Sequence, residues 1–351
     1  MKPKIIGALI LAAAAAITGA FALFSDNTAN ITTLSGYLGG EKIGLFEDEE
    51  IAAYIKKQYN LEFDYSRAGS LDMVTADLTG RDYLFPSSQT AQEYYDELHG
   101  SGKAEEIVFN TPIVLYSHKL VADALINQGI VYSADGVCYA DMEKLTELIL
   151  AEKQWSDIGL PQLYGSVCVD TTDPARSNSG NMFAALLANS LNGGKTVDVN
   201  SVGSILPKLK QIFAGTGYME TSSSDLFNQF LRMGVGAKPI IAGYESQILE
   251  YAAENPSEYA KIKDDIVVIY PSPTIWSAHI YIALNENGKA GVDALTDKEV
   301  QRLAWEKHGF RTSNYGGSSG KSAVVGISDN ITSVMNMPSY GVMKRIIDEL
   351  S

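Results

Sequence analysis

Basic side chains are scarce: 27 Lys and Arg stand against 42 Asp and Glu in 351 residues, a formal charge of −15. Such a surface repels phosphate backbones and anionic headgroups, which recruit clustered Lys and Arg, so nucleic acid is excluded as a partner. A small anionic ligand is not excluded, because a few local donors decide that affinity. Cysteine is rarer still. Cys138 and Cys168 are the only two, too few for a disulfide-stapled scaffold. They could form one bridge in an oxidising compartment, although Val137-Cys138-Tyr139 and Val167-Cys168-Val169 read more simply as small hydrophobes in strands. Neither has a second Cys or His close enough in sequence to suggest a metal site.

Catalytic signatures are missing as well. There is no HExxH, CxxC or GxSxG, which removes the common zinc-protease, redox and α/β-hydrolase readings. Gly194-Lys195-Thr196 and Gly320-Lys321-Ser322 carry Asn189 and Tyr315 where a phosphate loop needs glycine. The histidines His99, His118, His279 and His308 lie in separate segments. His279 with Glu245 is the pair an enzyme on this chain would use. The chain is read as a non-enzyme, without cofactor or metal.

What is present begins at the N-terminus. Lys2 and Lys4 precede an apolar run from Ile5 to Phe24, followed by polar Ser25-Asp26-Asn27. This is an export signal, with Ala20-Phe21-Ala22 as a small-x-small cleavage site. The run is also long enough to span a bilayer. Residues 1–25 are therefore a signal peptide or a retained membrane anchor, and the remaining chain is extracytoplasmic, in the periplasm or on the outer cell surface. Contact with the membrane would come only through residues 5–24, if they are not cleaved.

An apolar content of 46% with 20% charged residues is ordinary globular composition, and this length makes two domains the default. Short apolar runs alternate with helical patterns, the mark of α/β architecture with mostly parallel sheets. Ile43 to Phe46 reads as a strand edge and Glu49 to Tyr59 as a helix, with the acids at Glu47 to Glu50 favourable at its start. Strands at Leu61 to Tyr65 and Asp82 to Phe85 follow, each leading into a helix. Ile107 to Tyr116 is a long strand that leaves one domain for another. Beyond it, helices near 119–127, 141–153, 181–191, 201–213, 224–233 and 246–253 surround strands at Gly165 to Asp170 and Pro239 to Ala242. Strands at Ile266 to Tyr270 and His279 to Leu284, then helices at Asp297 to Gly309 and Ser339 to Leu350, complete the chain. Gly316 to Gly320 is a loop. No internal repeat is visible.

Four hydroxyl- and glycine-rich turns stand where strands end and helices begin: Gly39-Gly40, Ser66-Arg67-Ala68-Gly69-Ser70, Pro86-Ser87-Ser88-Gln89, and Asp173 through Asn181. Ser, Thr, Asp and Asn cap helices everywhere. A helix start also presents unpaired N–H groups and a positive dipole end, which bind anions without net positive charge. Trp155, Trp276 and Trp305 are core or interlobe residues, with Trp276 near the return segment.

This order of segments resembles the type II periplasmic solute-binding proteins: an export signal, a βαβαβα half, the crossing strand Phe109-Asn110-Thr111-Pro112-Ile113-Val114-Leu115, a second lobe, and a return through Pro271-Ser272-Pro273-Thr274. The resemblance covers essentially the whole exported chain. Within that group it is most similar to the molybdate, sulfate and phosphate binders. Asp173-Pro174-x-x-Ser177-Asn178-Ser179-Gly180-Asn181 is similar to their DPxxSxxG turn, and Gly243-Tyr244-Glu245-Ser246 to the turn that supplies a tyrosine. The chain departs from the molybdate pattern at Thr111-Pro112 and at Glu245 and Gln247. Arg67 and Arg176 would suit a carboxylate or phosphate.

The resemblance implies two lobes, 33–114 plus 275–351 and 115–274, each a mostly parallel sheet flanked by helices, with hinges near 110–116 and 270–276. It implies an interlobe cleft for a small ligand, an oxyanion or organic anion, delivered to the permease of an ABC transporter. Gly40, Ser66, Arg67, Gly69, Ser70, Ser87, Ser88, Thr111, Arg176, Ser177, Ser179, Gly180 and Tyr244 would hold it. A tethered sensor or partner-binding subunit on the same fold is the alternative, and an extracytoplasmic enzyme a lesser one.

Overall fold

A computed structural model of the chain describes residues 31–316 and 324–351. The apolar run Ile5 to Phe24 and most of the glycine loop, 317–320, lie outside the described residues. Among the described residues no helix is long and apolar enough to cross a membrane.

The first strand, β1 (Thr32–Leu38), buries Leu34 and Leu38 on one face. It runs parallel to β2 (Leu61–Arg67) and β3 (Tyr83–Phe85). Between them, Ile43–Glu47 is a helix, α1, where a strand edge was expected. A short contiguous apolar run carries no periodicity that separates the two. Helix α2 (Glu49–Tyr59) buries Ile51 and Ile55, starts on the Asp48 side chain, which accepts from two first-turn amides, and stops at Asn60 with φ 52°. Helix α3 is a single turn, Asp72–Thr75, and α4 (Gln89–His99) follows β3.

The 15-residue strand β4 (Ala104–His118) serves two ladders. Through Pro112 it pairs antiparallel with β9 (Thr274–Ala283), and from Ile113 onward with β7 (Ile240–Tyr244) and β8 (Ile266–Ser272). Pro112 stands where one partner gives way to the next, a position at which a missing N–H weakens the ladder least. The chain crosses back between β8 and β9 at Ser272-Pro273, a cis peptide. Strands β5 (Val131–Ala134) and β6 (Val137–Asp141) extend the β8 side, and β10 (Val334–Met335) adds to β9. Pairing is parallel between β1 and each of β2 and β3, between β6 and β8 and between β9 and β10, but antiparallel throughout β4 and between β3 and β9. The sheets are therefore mixed, where mostly parallel pairing was expected.

Helices α5 (Lys119–Asn127), α6 (Met142–Leu150), α7 (Asn178–Leu191), α8 (Val202–Ala214) and α9 (Ser223–Met233) surround the second group of strands. Gly165 to Asp170 is no strand: it makes only isolated bridges, Gln154 to Ser166 and Asp170 to Ile241. Its buried Val167 and Val169 produce the alternating pattern without a ladder. Cys138 and Cys168 are free and partly buried, and burial pushes the Cys168 thiol up to about 11.

Helices α10 (Glu245–Glu254), α11 (Pro256–Ile262), α12 (Lys289–Leu295) and α13 (Lys298–His308) follow in order, and α14 (Tyr340–Leu350) ends the chain. Val342, Met343 and Ile346 of α14 share a core with Leu186 of α7 and Leu209 of α8. The last helix thus packs against α7 and α8. Its Tyr340 also stacks on Tyr94 of α4, with ring centroids 4.2 Å apart.

Candidate functional site

Leu38 pairs with Arg67, so parallel β1 and β2 deliver their following turns to one edge. Opposite that edge stand the starts of α7 and α9. Between them lies a cavity of about 410 Å³. Gly39, Gly40, Glu41, Arg67, Ala68, Gly69, Ser70 and Asp72 line it from the first side; Arg176, Ser177, Asn178, Thr221, Ser222, Ser223, Asp225 and Tyr244 line it from the second.

The two facing helix starts lack a side-chain cap, as do the starts of α5, α8 and α14. Asp48, Ser88, Asp141 and Asp297 each accept a hydrogen bond from the first turn of the helix they cap. Ser177 before α7 and Ser222 before α9 do not. Their first-turn amides are left without a side-chain cap, at the positive ends of helices of 14 and 11 residues. Arg67 and Arg176 are exposed at the mouth. Among the described residues neither guanidinium has an ionic or hydrogen-bonding partner.

The two sides touch each other directly. Asn178 Nδ2 donates to the Ser87 carbonyl at 2.8 Å and to Tyr244 Oη at 2.9 Å. Gly69 lies so close to the facing turn that a β-carbon there would sit 3.1 Å from the Arg176 carbonyl oxygen.

Beneath the cavity is a buried ionic group. Glu41 accepts from Lys42 Nζ and from Ser87 Oγ. Lys42 also donates to Ser87 Oγ at 2.5 Å and lies 3.1 Å from His279 Nδ1. Burial acts against the Glu41 charge, but Lys42 and His279 outweigh it and hold the carboxyl at about 2. Burial, then the Lys42 charge, push the His279 pKa well below its ordinary value. Because the Glu41 pKa is lowered from 4.5, its stabilisation is complete above that pH and is lost as pH falls toward 2. Acid unfolding of a Glu41→Gln variant should show a shallower slope between pH 4.5 and 2 than the parent; superimposable curves would refute this assignment.

Of the residues singled out in the sequence, Gly40, Arg67, Gly69, Ser70, Arg176, Ser177 and Tyr244 come together on the cavity wall. The other six lie outside it, because the protein uses their polar groups or their space. Ser66 Oγ accepts from Arg81 at 3.2 Å, Ser88 Oγ from the Ala91 amide at 3.2 Å, and Thr111 Oγ1 from the Ser246 amide at 3.2 Å. Ser87 belongs to the Lys42 group. Ser179 Oγ shares hydrogen bonds with Thr172 and Ser177 hydroxyls at 2.7 and 3.1 Å. Gly180 is a packing residue: a β-carbon would fall 2.1 Å from the Thr172 carbonyl oxygen.

Glu41, Asp72, Asn178 and the Thr221 to Asp225 turn were missed as lining residues. The last carries the same signal as the four turns that were noticed, hydroxyls directly before a helix. Glu245 and His279 do not pair: Glu245 is bound in bidentate fashion by Arg311 at 2.6 and 2.7 Å. Trp276 lines a different cavity, beside Arg311 and Tyr315. Glu250, Glu254 and His308 have ligand-type atoms within 4.8 Å of one another, and His308 there bridges Glu250 at 2.7 Å and Asp48 at 3.4 Å.

No family model and no curated protein sequence matches the chain. Solved structures do. A putative extracellular solute-binding protein from Bordetella parapertussis aligns with TM-score 0.59 at 10% identity, covering 90% of this chain and 97% of that one. The periplasmic binding protein AfuA from Actinobacillus pleuropneumoniae, with exogenous fructose-6-phosphate bound, aligns with TM-score 0.58 at 14% identity, covering 90% and 96%. The sulfate-binding protein SubI from Mycobacterium tuberculosis aligns with TM-score 0.55 at 13% identity, covering 89% and 97%. The chain has the fold of the type II periplasmic solute-binding proteins.

Proposed function

We propose that this chain is an extracytoplasmic solute-binding protein that captures a small ligand with an acidic group and presents it to the permease of an ABC transporter. One observation carries the reading: a cavity between two walls, where two helices start without a side-chain cap and two arginines, without partners among the described residues, lie exposed. Both supply donors to an anion without a buried charge of their own. The relatives by fold are named as solute-binding proteins, which supports transport over catalysis.

In this reading the lobes are 33–114 with the return from 275, and 115–274, with the C-terminal helix riding on the second. They turn about the strands near 110–116 and 270–276. Donors lie on both walls, so a bound ligand gains contacts in the closed form that an open one lacks, and the population shifts toward closure. The test is a thermal-shift screen of the full chain against oxyanions, carboxylates, amino acids and sugars. A ligand at 100 times its Kd adds about 2.7 kcal/mol, a rise of several degrees. A flat melting temperature across the whole panel would sink the proposal.

A further inference from the structure

The charges on the cavity wall do not have one sign. Beside Arg67 and Arg176 stand Glu41, Asp72 and Asp225. Glu41 is neutralised from behind by Lys42, but Asp72 and Asp225 are exposed, and among the described residues neither carboxylate has a partner. The mouth therefore presents two free cations and two free anions. Asp72 is close to the arginine side: a β-carbon on Gly69 would meet Asp72 Oδ2 at 2.9 Å and the Arg176 carbonyl oxygen at 3.1 Å.

The helix starts divide in the same way. The first turn of α7 contains no acid, so its positive end is free for a ligand. The first turn of α9 contains Asp225, which already offsets the dipole there. A bare inorganic oxyanion would gain from the arginines and lose to Asp72 and Asp225. A neutral sugar would leave both arginines unpaired, and the wall offers no aromatic face for one to stack on, since its only aromatic residue is the buried Tyr244.

Resting on the solute-capture reading, we infer that the ligand is a small zwitterion, with an acidic group for Arg67, Arg176 and the α7 amides, and an ammonium for Asp72 and Asp225. The carbonyl of Arg176, on the same wall, is a further acceptor for that ammonium.

Matched pairs differing only in the amine isolate this claim: taurine with ethanesulfonate, phosphoethanolamine with ethyl phosphate, and β-alanine with propionate. Each is titrated calorimetrically into the full chain, alongside inorganic sulfate and phosphate. In at least one pair the amine-bearing member should bind at least tenfold more tightly, a gap that falls below threefold in Asp72→Asn/Asp225→Asn. Should that double variant fold poorly, Asp225→Asn alone, at an exposed site, should lose at least half of the gap on a logarithmic scale. Acids that bind equally well with and without the amine would overturn the zwitterion inference and leave solute capture standing. Failure of these compounds and of the whole thermal-shift panel would overturn both.

Discussion

Replacing Arg311 with methionine should cost about 3–5 kcal/mol of folding free energy, the usual penalty for stranding one charge of a buried pair. Arg311 and Glu245 side chains are 8% and 0% exposed. Nε and Nη2 of the guanidinium reach the two Glu245 oxygens at 2.6 and 2.7 Å, Nη2 also donates to the Ser328 carbonyl at 2.5 Å, and Tyr270 Oη donates to the same carboxylate. Removing the guanidinium leaves Glu245 with one hydroxyl donor in an interior that cannot solvate it. The location amplifies the loss, because the Arg311 backbone bridges Asn110 on β4 through N–O contacts of 2.7 and 2.8 Å. Urea unfolding reads the effect directly. The double variant Glu245→Leu/Arg311→Met should recover most of it, since an apolar pair of similar volume leaves no orphaned charge. A single variant within about 1 kcal/mol of the parent would refute the account.

Arg67→Ala/Arg176→Ala should lower affinity for the bound acid about a hundredfold. Truncating a charged partner in a fully desolvated site costs about 2–5 kcal/mol; both arginines are exposed, so about 1.4 kcal/mol, or tenfold, is expected for each. The melting temperature of the ligand-free protein should stay where it was, because among the described residues neither guanidinium has an ionic or hydrogen-bonding partner. That second readout separates a binding role from a structural one. Affinity within threefold of the parent would remove both arginines from the site.

The contrast between Ser88 and Ser177 shows where reading the sequence stops. Both are serines directly before helices, in turns that look alike. Ser88 spends its hydroxyl on the Ala91 amide, whereas Ser177 turns toward Ser179 and leaves its helix uncapped beside the cavity. Residue type and spacing locate the start of a helix; which way the hydroxyl faces is decided by the neighbours it meets in the folded turn, here Ser179 and, through it, Thr172. The crossing strand was legible because fifteen residues of strand-like sequence have few alternatives. Strand β1 was not, since Gly36 and the flanking threonines and serine obscure its two buried leucines. Glu41 and Asp225 escaped notice because a lone acid near a helix start is ordinarily a response to the dipole.

Strand β4 is one length of backbone shared by two ladders, and this ties the registers of both sheets together. Alternation along a strand has a period of two, so slipping β4 by one residue would exchange the faces of both ladders at once. Neither sheet can adopt a shifted pairing by itself. Phe109 enters one core and Ile113 the other, so correct alignment of β9 against the first half fixes which side chains the second half offers to β7 and β8. A single residue inserted between them would leave each half internally consistent but out of phase with its neighbour. The strand that joins the two ladders is thus also the ruler from which both sides are measured.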